Sequence, residues 1–299
     1  MKRFLAMLLA VMLVVSAFPV GVFAEGSSTP APQAEHTHKV CNGSGLCDGC
    51  THAEVEYAIA WGDSADEVGK LPTASGNYYL TNDLVLTRPA SNNASNANLA
   101  TAGVEINICL NGHNIRAKSG NSVRFFNINA KDGKLTITNC GAKKIGGTEE
   151  SGTMSGAKES VIFVNNSNGA NVKVELYNVA VHSNAVTGSN AGAIQLQKTS
   201  SLKAVDCIFQ NNSSTGGTSA IRLYSTGTLE LVGCTVTGNR GMYGYALRAD
   251  KGSVSLTDTV IEDNYAMDAA VETGAVHISP ERLFQCGQFH CAGSDQDLE

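Results

Sequence analysis

Ala193-Ile194-Gln195-Leu196, Ala220-Ile221-Arg222-Leu223, Ala246-Leu247-Arg248-Ala249 and Ala275-Val276-His277-Ile278 are four versions of one phrase. They begin at positions 193, 220, 246 and 275, a nearly constant step. A second alternating stretch follows the first three, as Leu202-Lys203-Ala204, Leu229-Glu230-Leu231 and Val254-Ser255-Leu256, with Leu135-Thr136-Ile137 and Val174-Glu175-Leu176 earlier in the chain. A third stretch closes each time on asparagine: Val181 to Asn184, Phe209 to Asn212, Val236 to Asn239 and Ile261 to Asn264. Period-two alternation places Ile194 and Leu196 on one side of a strand and Gln195 and Gln197 on the other. Three short strands in every repeat of about 27 residues, separated by Gly, Ser, Asn and Asp, predict an all-β solenoid with one repeat per coil.

One coil cannot fold alone. About six inward side chains contribute on the order of 10 kcal/mol of gross burial at ~1.5 to 3 each, whereas ordering about 27 residues costs more at ~1 to 2 kcal/mol each. Coils must therefore stack and share strand ladders. Stacking aligns Asn184, Asn212, Asn239 and Asn264 into an internal amide ladder. A second column, Asn139, Asn178, Asp206, Gly233 and Asp258, reads as a turn column, since Asn, Asp and Gly tolerate left-handed backbone. A β-sandwich is the competing architecture, but its strands would not return the same residue type on a fixed period.

Composition agrees with strands and turns. Apolar residues make up 42 % and charged residues 16 %, with 31 Gly and 25 Asn, which excludes a long coiled coil. The net charge of -6, with no Lys/Arg cluster beyond the first three residues, leaves nucleic acid without an electrostatic footprint. Lys2 and Arg3, the apolar run from Phe4 to Val15 and the small-residue end Val22-Phe23-Ala24 have the layout of a signal peptide over residues 1–24. The expected location is therefore secreted, extracellular or at the cell surface, with a mature charge of 19 minus 27, or -8. No second apolar run is long enough to span a membrane. Residues 25–35 read as a linker, 36–52 as a His/Cys-rich segment and 53–75 as an N-terminal cap. In that cap Val55, Tyr57, Ile59 and Trp61 alternate as an entry strand covering the first coil. Residues 76–279 form the β-helix, and 280–299 an irregular or truncated tail where Pro280 and the unpatterned Cys286 and Cys291 end the alternation.

Asn190-Ala191-Gly192-Ala193-Ile194 and Phe209-Gln210-Asn211-Asn212 resemble the Gly-Gly-Ala-Ile and Phe-x-x-Asn repeats of polymorphic outer-membrane-type adhesins. With these repeats the chain resembles the right-handed parallel β-helix, or pectin-lyase-like, superfamily. Its His/Cys segment, the Leu71-Pro72 to Tyr78-Tyr79-Leu80 entry and Cys109-Leu110-Asn111-Gly112-His113 are similar to secreted surface proteins of anaerobic Gram-positive bacteria. The resemblance implies a right-handed coil and a structural or interaction role, adhesin-like, with a glycan or a host or cell-surface ligand as partner. Its alternative implication is a polysaccharide lyase or glycoside hydrolase. Glycosidic cleavage needs carboxylates ~5 to 9.5 Å apart, and the repeats offer no such catalytic group: Asp206 and Asp258 share a column two coils apart, and Asp250 is the one acidic residue in its own.

The outward columns of the first strand carry the candidate binding residues. One holds Phe163, Gln195, Arg222, Arg248 and His277; the next holds Asn165, Gln197, Tyr224, Asp250 and Ser279. Coils ~4.8 Å apart make these a flat strip of amides and guanidiniums that can hydrogen-bond sugar hydroxyls, with Tyr224 packing on a sugar face. A solvated sheet face without a ligand is the plainer reading. Of nine cysteines, Cys140, Cys207 and Cys234 share an interior column with Val179 and Thr259 as small fillers, a Cys207–Cys234 disulfide being within reach. His36, His38, Cys41, Cys47, Cys50 and His52 crowd six potential ligands into one short segment, a donor set for structural Zn²⁺, with oxidation of two of the thiols as the competing outcome.

Overall fold

Ile106, Leu135, Val174, Leu202, Leu229 and Val254 lie side by side across one parallel sheet. Each register step from one of these to the next is one full coil of the chain. This architecture comes from a computed structural model, which describes residues 57–89, 95–140, 142–147, 149–165, 171–187, 192–267, 276–278, 284–286 and 289–290. It is an all-β parallel solenoid of about six coils, and no helix occurs among the described residues.

Each regular coil visits four sheets in turn. Ile194–Lys198 belongs to face I, Ser201–Val205 to face II, Ile208–Gln210 to face III and Ser213–Ser214 to a short ladder, after which Ile221–Ser225 returns to face I. Faces I, II and III contain seven, nine and eight described strands, and the short ladder four, with every sheet pairing between them parallel. Alternation sorts the side chains as the repeat requires. Phe126, Ile162, Ile194, Ile221 and Leu247 stack inward from face I, and Met154, Val181, Phe209, Val236 and Ile261 from face III, all at most 2 % exposed.

Asparagine closes the third strand from inside. Asn184 Nδ2 donates to Asn212 Oδ1, Asn212 Nδ2 to Asn239 Oδ1 and Asn239 Nδ2 to Asn264 Oδ1, each at 2.9 Å. Every Nδ2 also reaches a carbonyl one coil back, Met154, Val181, Phe209 or Val236, and backbone N–H groups of Asn184, Asn212 and Asn239 share the same Oδ1 acceptors. Asn184, Asn212 and Asn239 are fully buried. Such residues belong inside only when their amide groups are paired, and here they are.

The turn column adopts left-handed backbone at Asn178, Asp206, Gly233 and Asp258, with φ of 54°, 51°, 60° and 47°. Gly233 also sits so close to its predecessor coil that a Cβ there would lie 2.5 Å from Asp206 Oδ1. Asn139 departs from the expected column: its φ is not left-handed, and its buried Oδ1 accepts from Gly112 N at 2.9 Å. The reason is an excursion over residues 140–152, closed by the antiparallel bridge Lys144↔Ser151, which makes the coil from Leu135 to Val174 longer than the others. For the same reason Cys140 is exposed and does not fill the interior column, whereas Val179, Cys207, Cys234 and Thr259 do. Cys207 and Cys234 are unbonded thiols, donating instead to the Val205 and Ala204 carbonyls.

Both ends differ from simple alternation. Ile59–Trp61 pairs in parallel with Gly76–Leu80, and Trp61 meets Tyr78 edge-on at 5.2 Å, its Nε1 donating to Lys70 O. Ile59 nevertheless stays exposed at the end of the sheet, while Tyr57 is buried in a separate cluster with Cys109, Tyr177 and Val205. Val55 lies outside the described residues. At the other end Phe284–Cys286 pairs with Ser253–Thr257, and Phe289–His290 with Thr259–Glu262. Two short rungs thus occur inside the stretch where the sequence pattern predicts an irregular tail. Backbone hydrogen bonds to the preceding coil do not require the Leu-x-Leu pattern.

Candidate functional site

Register on face I runs Asn98, Asn127, Phe163, Gln195, Arg222, Arg248, His277, which brings the first outward column together as expected. Gln197 is opposite Tyr224, and Asp250 N bonds to Leu223 O, setting Asp250 beside Tyr224 one coil on. Parallel strands stack equal positions only ~4.8 Å apart, so neighbouring side chains cover one another. Much of the strip is consequently closed to water. Gln195 is 4 % exposed, contrary to the expectation of a displayed amide.

Asp250 is held between two guanidiniums. Arg222 Nε donates to its Oδ2 at 3.1 Å and Arg248 Nε to its Oδ1 at 2.8 Å, with side chains of Arg222 and Asp250 only 13 % and 14 % exposed. The three groups expected to meet ligand are thereby committed first to one another. Arg248 also lies over the Tyr245 ring at 5.9 Å, and Tyr245 packs on His277 at 4.9 Å. Upstream, Arg124 covers Phe163 at 4.4 Å and pairs with Glu159 at 3.2 Å; burial pulls its guanidinium below the usual range, opposed by that carboxylate.

Tyr224 is the open element of the strip. Its side chain is 41 % exposed, with the Arg222 guanidinium 5.5 Å and Lys251 Nζ 4.9 Å from its centroid. Beside it, Gln197 Oε1 is shielded from solvent and has no hydrogen-bond partner. Met242 and Tyr243, each 42 % exposed, lie in the turn that precedes the Leu247–Ala249 strand, and Tyr265, 52 % exposed, meets Arg240 at 5.8 Å on the short ladder. Column reasoning missed Met242, Tyr243 and Tyr265. The signal was present: Gly216-Gly217-Thr218-Ser219 in one coil is replaced by Met242-Tyr243-Gly244-Tyr245 in the next.

A second polar cluster lies on face III, where Glu150 Oε1 approaches His182 Nε2 to 2.6 Å and Ser183 Oγ is 3.1 Å from its Nδ1. Burial lowers the imidazole's proton affinity, and Glu150 opposes that shift. His182 is 5 % exposed, so the cluster presents one coil-to-coil contact rather than an open cleft. Among the described residues no three His, Cys, Asp or Glu side chains converge as metal ligands, and no helix is long and apolar enough to cross a membrane. His36, His38, Cys41, Cys47, Cys50 and His52, the expected zinc ligands, and Ser279 lie outside the described residues. The chain matches no protein-family model, no curated protein and no solved structure.

Proposed function

We propose that this chain is a secreted or cell-surface parallel β-helix of the pectin-lyase-like kind, adhesin-like in role, with a glycan as the ligand of face I around Tyr224. The observation that carries the reading is the Tyr224 ring, 41 % exposed on a face otherwise closed by ion pairs and flanked by Arg222 and Lys251. An aromatic ring offers apolar surface to the C–H face of a sugar. The Arg222–Asp250–Arg248 group fixes the platform beneath. The extracellular location draws on the signal-peptide layout of residues 1–24 and the mature charge of 19 minus 27.

Glycan-array binding followed by retention on the immobilised hit tests this reading. Tyr224→Ala is expected to weaken retention at least about tenfold, or ~1.4 kcal/mol, with the thermal midpoint nearly unchanged. Undiminished retention by the variant, or no glycan bound by the native protein, would overturn it. Release of reducing ends or unsaturated uronate from a bound polysaccharide would replace it with the lyase or hydrolase reading.

A further inference from the structure

Cys109 and Cys140 face each other across neighbouring coils with their Sγ atoms 3.3 Å apart. Cys109 ends the Glu105–Cys109 strand on the outer side of face II, fully buried among Tyr57, Tyr177 and Val205. Cys140 lies just beyond the partner strand Lys134–Thr138, where the excursion begins, and is exposed. We propose that these two residues form an inter-coil disulfide in the mature protein, created by exchange with a disulfide-bearing oxidoreductase or a small-molecule disulfide. Its oxidising surroundings follow from the secreted reading above; the geometry does not.

The order of events follows from access. Cys140, as thiolate, attacks the carrier's disulfide and expels one carrier thiol, leaving a mixed disulfide. Cys109 then loses its proton, attacks Cys140 Sγ and expels the second carrier thiol. Two protein thiols give up two protons and two electrons, and the carrier disulfide becomes two thiols. Cys109 cannot come first, because its hydrogen bond to Cys140 and its burial push its thiol well above the ordinary range. Closing from 3.3 Å to a bond of ~2.05 Å requires a small movement, available at Cys140 because it sits in an excursion rather than within a strand. Cys207 and Cys234 supply the contrast: both are 1 % exposed inside the stack, so no carrier reaches them.

The experiment equilibrates the purified full chain with oxidised glutathione, blocks remaining thiols and digests with trypsin without reduction. The peptide of residues 135–143 should be recovered joined to the peptide containing Cys109, with Cys207 and Cys234 alkylated only after unfolding. Reductant should lower the thermal midpoint of the native protein by about 5 °C and leave Cys140→Ser unmoved, a variant that folds because the position is exposed. Cys140 recovered as a blocked thiol, or joined to any other cysteine, would overturn the proposal, as would a midpoint indifferent to reductant. Because oxidation is imposed in the tube, a failure here separates from any failure of the secreted, glycan-binding reading.

Discussion

Asn212 and Asp250 each tie neighbouring coils together, one inside the solenoid and one on face I. Asn212 accepts from Asn184 and donates to Asn239, using the same atoms on each coil, so the amide column runs unbroken from Asn184 to Asn264. Asp250 satisfies Arg222 and Arg248 and the arrangement stops there. Positions along the inner column hold four asparagines, whereas the outward column in register holds Phe163, Gln195, Arg222, Arg248 and His277. A buried amide without a partner is costly, which restricts the interior to a residue that can be both donor and acceptor to its own kind. Outside, water or a neighbour can serve, and the same register tolerates aromatic, amide and cationic side chains alike.

The comparison can be broken most directly at Asn212. Asn212→Ala would leave the Asn184 backbone N–H without its acceptor and remove one of the two Asn184 Nδ2 hydrogen bonds in a sealed interior, and a loss of about 4 kcal/mol is expected. Urea unfolding measures it; a loss below ~1 kcal/mol would mean the ladder is decoration. Asp250→Ala should cost less, about 2 kcal/mol, since the two guanidiniums it leaves are only partly buried and can regain water. Salt sharpens the contrast. In about 1 M NaCl the Asp250→Ala penalty should fall by about half while that of Asn212→Ala holds, because screening acts on charges near the surface and not on a neutral amide column. Equal salt responses would place the two assemblies in the same environment. Smallest of all is Tyr224→Ala, expected to shift stability by less than ~0.5 kcal/mol although it removes the sugar-facing ring. A larger shift would make Tyr224 part of the platform rather than its open surface.

Repetition made the fold legible. A motif that recurs as Ala193, Ala220 and Ala246 states which residues become neighbours without any long-range inference, because stacking turns sequence period into spatial register. The asparagine ladder, the left-handed corners at Asn178, Asp206 and Asp258, and membership of both outward columns all follow from that one rule. It fails where the period is interrupted: the excursion after Asn139 takes Cys140 out of the core, and before the first strand Tyr57 joins the cluster on the outside of face II rather than alternating with Ile59.

What this sequence determined by itself is therefore translational: strand order, coil length and which side chains share a column, set by hydrophobic alternation and by the need of each coil to bury its inner face against the next. The tertiary structure decided the contacts made sideways from a column. Asp250 is drawn between Arg222 and Arg248, Lys251 lies over Tyr224, and Cys109 meets Cys140 under the cover of Tyr57, and none of these pairings repeats. Their partners are chosen by side-chain reach and by local burial, which depend on packing around each site rather than on the period of the chain.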